Sequence, residues 1–464
     1  MARNRAPQES ADALILFGVT GDLARRRLFP ALYELEEDGA LDMPVVGVSR
    51  SNDDDEALRR RARESLDFAG VELDEEVFAR LAGRLRHVPG DYREPETFAR
   101  IGELVGERRC TVSYLAIPPE LFDDVIQGLA SAGLHERGRV VVEKPFGRDE
   151  KSARELSEII HRYYPEDRVY RIDHFLGKEA LQNLMVFRFS NTLLEPIWNR
   201  HYIRGVQVTM AEDFGVEGRG AFYDSVGAMR DVVQNHLLVL VSLLAMEPPV
   251  SDQPDALRDE RVKVLEAAEA FSVDSAVLGQ YSGYREEEGV DPDSATETYF
   301  AARMEIDSWR WAGVPWVIRA GKGMGTTVTE AVIEFLRPPR LYFADDRQTP
   351  GPNRLAFRVK PQDRITLGMQ AKRPGPDIVS EPVSLSLEYG EERGQAQDAY
   401  HRLLGDALRG DQSLFARVDS VMEAWRIVQP VIDASPEPFL YQRGSMGPKE
   451  SDTLLGPDWE WLSG

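Results

Sequence analysis

Ala13–Glu37 reads ALILFGVTGDLARRRLFPALYELEE. The apolar run Ala13–Val19 predicts a buried parallel strand, and Leu23–Glu37 has the spacing of a helix. Between them lies Gly18-Val19-Thr20-Gly21-Asp22-Leu23-Ala24. Strand, glycine turn and helix point backbone N–H groups and the positive helix end at a pyrophosphate. Gly21 would admit the phosphates and Ala24 would let the helix pack closely. The spacing G-x-x-G-x-x-A fits an ordinary strand–turn–helix equally well, so the rest of the chain has to decide.

The neighbouring segments repeat the pattern. Met43–Val48 reads as a second strand, ending at Ser49-Arg50-Ser51, where an acid would bind the ribose of NAD. Arginine there favours NADP, because a guanidinium can hold a 2′-phosphate and stack on adenine; the plainer reading is an exposed strand-end arginine. Thr111–Ile117 and Arg139–Glu143 follow as strands, with an amphipathic helix Glu120–Ala132 between them. Lys144, in Glu143-Lys144-Pro145-Phe146-Gly147, would emerge at the carboxyl edge of the sheet near the nicotinamide, and its X-Pro bond is a candidate for cis. Strand Arg168–Ile172 leads into Asp173-His174 within YRIDHFLGKE (Tyr170–Glu179). That run sets carboxylate, imidazole and, after Gly177, the ammonium of Lys178 where a phosphate could be held and a proton acceptor oriented.

From Gly177 onward the rhythm changes. Tyr202–Glu212, Trp311–Arg319, Thr327–Leu336, Leu355–Val359, Ile365–Gln370 and Val383–Tyr389 read as strands of a large antiparallel sheet. A helix is expected over Ser225–Met246, carrying Arg230, Asp231 and His236. A lone histidine in an apolar helix is ordinarily a hydrogen-bonded core residue. Asp173 offers what a catalytic one needs, a carboxylate that fixes its tautomer.

Composition sets bounds. A chain of 464 residues with 42% hydrophobic and 29% charged content is an ordinary globular protein of two domains, here 1–175 and 176–464. The net charge of −23 argues against nucleic-acid and anionic-membrane partners. An anionic substrate would need its own local cations, and with lysine so scarce Lys144, Lys178 and Lys322 stand out in tight turns. Cys110 is the single cysteine, so neither disulfides nor cysteine metal sites are expected. The N-terminal arginines and apolar run have the look of a secretion signal, but the run is short, includes Gly18 and enters a glycine turn. No apolar stretch approaches the roughly 20 residues of a membrane span. A soluble cytoplasmic protein is expected.

In chain order GVTGDLA, EKPFG, RIDHFLGKE, EDFGVEGRG, RDVVQNH and RAGK, with AYHRLLGDALRGDQSLFARVDSVMEAWRIV near the end, resemble the glucose-6-phosphate dehydrogenase family. The likeness spans nearly the whole chain. RIDHFLGKE is specific to the family, whereas EKP also occurs in glucose–fructose oxidoreductase-like dehydrogenases. The resemblance implies an α/β Rossmann-type N-terminal domain and an α+β C-terminal domain whose large, mainly antiparallel sheet forms a homodimer or homotetramer. It implies NADP-dependent oxidation of D-glucose 6-phosphate at C1 to 6-phospho-D-glucono-1,5-lactone, the entry step of the pentose phosphate pathway.

By the same resemblance His236 is the general base and Asp173 its orienting carboxylate. His174, Lys178 and Lys322 meet the phosphate, Glu212 and Asp231 the sugar hydroxyls, and Lys144 aligns substrate with cofactor. Gly18, Gly21, Asp22, Leu23, Ala24, Arg50 and Tyr114 line the NADP site. No metal is implied, and a second structural NADP is not expected. Two positions depart from the family: Thr327 stands where an arginine can meet the phosphate, and Lys360 where glutamine is expected. These leave two alternatives, a dehydrogenase of another sugar or sugar phosphate and a non-catalytic sugar-phosphate-binding regulator.

Overall fold

The computed structural model describes residues 9–107, 110–338, 351–388, 398–456 and 458–462. Two compact units divide the chain. The first holds the residues up to Lys178 together with Val250–Arg258 and Gln397–Met422, and the second holds the remainder.

In the first unit, β1 (Ala13–Phe17), β2 (Val45–Ser49), β3 (Leu85–Pro89), β4 (Thr111–Leu115), β5 (Arg139–Glu143) and β6 (Val169–Ile172) form one sheet. The strand order is β3-β2-β1-β4-β5-β6 and every pairing is parallel. This is the doubly wound arrangement, and helices on both faces explain why β1, β2 and β4 are buried at every residue. Five of the six strands match the sequence expectation. β3 does not, because LRHVP has no apolar alternation; as an edge strand it pairs only with β2 and tolerates polar residues.

The second unit is built on β7 (Ile203–Ala211), β8 (Ala276–Tyr281), β9 (Tyr299–Met304), β10 (Trp316–Gly321), β11 (Val328–Phe335), β12 (Arg354–Lys360), β13 (Arg364–Lys372), β14 (Ser380–Glu388) and β15 (Phe439–Tyr441). Their order is β14-β13-β12-β11-β7-β10-β9-β8-β15. The sheet is mainly antiparallel as expected, with β7–β10 and β8–β15 paired in parallel. The strand expected from Trp311 begins at Trp316, since Gly313 (φ +80°) and Pro315 make a turn first. Tyr389, the expected end of β14, lies outside the described residues.

Gly220–Ala245 is helical, and long and apolar enough to cross a membrane, yet 72% of its most apolar window is buried inside the protein. Leu238–Ala245 is buried at every residue, and Trp198 and Trp311 donate their indole N–H groups to the carbonyls of Leu244 and Ala245. It serves as a core helix.

Candidate active site

In the first unit, the turn after β1 is fixed by its backbone. Gly18 has φ +79°, and its N–H lies 3.0 Å from both the Val48 carbonyl and the Tyr92 hydroxyl. A Cβ at this position would fall 2.1 Å from the Ala116 carbonyl oxygen, so glycine is what lets the turn pass the end of β4. Thr20, Gly21 and Asp22 are exposed, Leu23 is half-buried and Ala24 is buried. The helix opens with a π-turn, Ala24–Leu28, before the α-helix Phe29–Glu37. Pro30 accounts for it, having no N–H for the carbonyl four residues back.

The turn lies at the carboxyl edge of the sheet beside the β1/β4 switch point, where doubly wound folds take dinucleotides. Arg50 is exposed beyond β2 and forms no ion pair among the described residues. The nearby Asp53 is engaged by Ser51 at 2.8 Å and by Arg61 at 3.4 Å, and these partners, Ser51 first, hold its carboxyl below the usual range. These groups fit a nicotinamide dinucleotide.

At the end of β5, Glu143 accepts a hydrogen bond from Tyr114, whose side chain is fully buried in β4, at 2.5 Å. Burial pushes the Glu143 carboxyl up to about 7, against the hydrogen bond from Tyr114, the charge of Lys144 and the nearby phenol of Tyr400. The Lys144–Pro145 bond is cis. After β6, Asp173 is buried and accepts the Phe175 N–H at 3.0 Å, while its carbonyl takes the Leu176 N–H. The Lys178 N–H then bonds the Phe175 carbonyl, and the ammonium lies 4.7 Å from the Phe175 ring centroid. These successive turns set His174 and Lys178, both half-buried, on a rigid loop.

In the second unit, β7 and β10 run parallel in register, with Ala211 beside Gly321. The next residue on each strand therefore emerges at one place, and Lys322 Nζ lies 2.5 Å from Glu212 Oε2. The ammonium also faces the rings of Phe214 and Tyr223, at 5.1 and 5.3 Å. Thr327 donates to Asp213 Oδ1 at 2.5 Å and accepts the Asp213 N–H at 3.1 Å. It anchors the turn that carries Glu212. Lys360 is exposed and registers with Thr329, two residues from Thr327.

The helix expected over Ser225–Met246 is not regular. It breaks at Gly227 (φ +70°) and continues as a π-helix, Met229–Leu237. Residues five apart are widely separated around an α-helix at about 100° per residue, whereas i→i+5 winding stacks them. Asp231 and His236 are thereby turned toward one face. His236 is buried, and its N–H lies 2.7 Å from Asn235 Oδ1. Glu297, whose carboxyl is raised by burial, accepts the Met229 N–H at 2.9 Å and secures the start of this segment.

The first unit is of the class that binds nicotinamide dinucleotides for hydride transfer. Residues 15–183 match the model for "Glucose-6-phosphate dehydrogenase, NAD binding domain", and residues 185–462 match that for "Glucose-6-phosphate dehydrogenase, C-terminal domain". The chain belongs to the glucose-6-phosphate dehydrogenase family. It is 44% identical to glucose-6-phosphate 1-dehydrogenase 1 of Mycobacterium tuberculosis, over 98% of this chain and 97% of that protein. It is 37% identical to the cytoplasmic glucose-6-phosphate 1-dehydrogenase 6 of Arabidopsis thaliana, over 97% and 92%. A glucose-6-phosphate dehydrogenase solved in complex with its substrate glucose-6-phosphate superposes with a TM-score of 0.92 at 35% identity, covering 99% of this chain and all of that one.

Sequence reasoning missed Glu143 as more than a neighbour of Lys144, and missed Glu297 and Tyr400 as supports. A carboxylate closing a buried strand was a usable signal for Glu143. Nothing in the local sequence marks the other two.

Proposed function

We propose that the chain oxidises D-glucose 6-phosphate at C1 to 6-phospho-D-glucono-1,5-lactone with NADP. The observation that carries this is family membership along both domains, with the Asp173, His174, Lys178 and His236 positions intact. Neither alternative, another sugar substrate or a non-catalytic regulator, finds support among the relatives.

The nicotinamide, when bound, supplies the acceptor for the C1 hydride. His236 takes the C1 hydroxyl proton, a task suited to an imidazole, whose unperturbed pKa is about 6.5. Asp173 holds its tautomer and stabilises the imidazolium. His174 and Lys178 bind the phosphate with Lys322, while Glu212 and Asp231 accept hydrogen bonds from ring hydroxyls. Lys144 aligns C1 with the cofactor. Gly18, Gly21, Asp22, Leu23 and Ala24 form the dinucleotide turn, with Tyr114 behind it and Arg50 on the 2′-phosphate. Thr327, committed to Asp213, contributes through the Glu212 turn rather than through the phosphate.

The test is reduced-nicotinamide absorbance with glucose 6-phosphate and either NADP or NAD; no reduction of either by folded protein refutes the reading. Arg50→Ala should weaken NADP about tenfold to a hundredfold more than NAD, the loss of a charge-assisted contact. Equal weakening of both would make Arg50 structural.

The protein is assigned to the cytoplasm, supported by the naming of the Arabidopsis relative and by a single, buried cysteine. A homodimer or homotetramer through the second unit's sheet is supported by Met369 and Leu385, which β13 and β14 leave exposed. Light scattering that reads one subunit mass in solution would exclude both assemblies.

A further inference from the structure

Within the first unit, one side chain lies against two of the segments described above. Tyr400 lies at the start of the helix Ala399–Arg409, far along the chain from the motifs it meets. Its hydroxyl lies near Glu143, the carboxylate that Tyr114 engages, and favours the ionised form of that group. Its ring lies parallel to the imidazole of His174, with centroids 6.3 Å apart and planes 10° from coplanar. The helix start is itself held. Asp398 accepts the Tyr400 N–H at 2.8 Å, and Arg27, from the π-turn behind the dinucleotide loop, lies 3.4 Å from Asp398. Gly177, between His174 and Lys178, permits the approach, since a Cβ there would fall 2.9 Å from the Ala399 carbonyl oxygen.

We infer that Tyr400 is a positioning residue for this half of the site, its hydroxyl fixing Glu143 and the Lys144 turn, and its ring backing His174. The inference rests on the roles given above to Lys144 and His174. Glu143 is poised: burial raises its carboxyl to about 7 and Asp173 adds to the rise, while Tyr114, Lys144 and Tyr400 oppose it. Loss of one phenol donor would let it take a proton nearer neutrality, and Lys144 would lose the anion beside it. The ring acts separately. A parallel neighbour limits rotation of the imidazole, so the phosphate meets a donor already in place.

The two actions separate by substitution. Wild-type turnover of glucose 6-phosphate is measured first; its absence would remove the proposed function and not this inference alone. In an active enzyme, Tyr400→Phe should lower kcat about threefold to tenfold, as for loss of one hydrogen bond, with KM for glucose 6-phosphate changed by less than about twofold. Tyr400→Leu, which also removes the ring, should raise that KM at least about fivefold. In a Glu143→Ala background, Tyr400→Phe should add less than about twofold, because the acceptor is already gone. Additive losses overturn the inference, as does a Phe variant with wild-type kinetics and only a lower Tm. If the Leu variant fails to fold, the Phe variant and its double-mutant cycle still decide.

Discussion

Replacing His236 by asparagine is expected to lower kcat by about 10² to 10⁴, with KM for glucose 6-phosphate little changed. Asparagine is close to histidine in polarity and fits the same helical backbone, but it cannot accept a proton at neutral pH. The fold should survive. The His236 backbone N–H bonds the neighbouring Asn235 side chain, and the surrounding π-helix is secured by Glu297 at Met229, so neither contact uses the imidazole. Binding should survive as well, since the phosphate and hydroxyl contacts are assigned to other residues. The competing view is a buried histidine kept for packing. It predicts a lower Tm, with kcat unchanged in whatever protein remains folded. Steady-state kinetics beside a melting curve separates the two, and an unchanged kcat would end the assignment. Asp173→Asn offers a companion measurement: it removes the charge proposed to stabilise the imidazolium, so a kcat loss without a comparable KM change supports a role in the same step.

The fold was legible where local pattern and burial agree. β1, β4 and β5 are short apolar runs buried on both faces, and each is followed by a turn that only particular residues can make. β8 and β9 were illegible because AVLGQY and YFAARM mix glycine, glutamine and arginine into their runs; Gln280 is satisfied only through the fold, donating to the Ser294 and Thr296 carbonyls. β15 has only three residues and exists through its pairing with β8. The site divides in the same way. The candidates Asp173, His174 and Lys178 stand out in the sequence because three ionisable groups in six residues serve no ordinary loop. The π-winding that turns Asp231 and His236 together was not, since the same letters satisfy a regular helix. Thr327 looked like a lost phosphate ligand by comparison with the family, and the fold gives the hydroxyl different work on Asp213. Tyr400 lay inside a recognised segment, but its contacts to Glu143 and His174 are long-range and leave no local trace.

Lys178→Ala should raise KM for glucose 6-phosphate about tenfold to a hundredfold while leaving turnover of unphosphorylated glucose nearly unchanged. That range is what loss of one charge-assisted contact of about 1.5–3 kcal/mol allows. The loop should keep its shape, because its turns are backbone bonds from Phe175 to Asp173 and from Lys178 to Phe175, and the alanine N–H preserves the second. The substitution removes the ammonium and its packing over Phe175. The net charge of −23 enlarges the consequence. A phosphorylated sugar approaches an acidic protein against its field, and each local cation removed leaves that repulsion less opposed. Added salt should therefore narrow the variant's deficit in capture of the phosphorylated substrate, since screening acts most strongly beyond about 8–10 Å. Glucose carries no charge and serves as the control for both effects. A loss shared equally by the two sugars would remove Lys178 from the phosphate and leave it a loop residue. A loss confined to glucose 6-phosphate would fix one end of the substrate within the first unit.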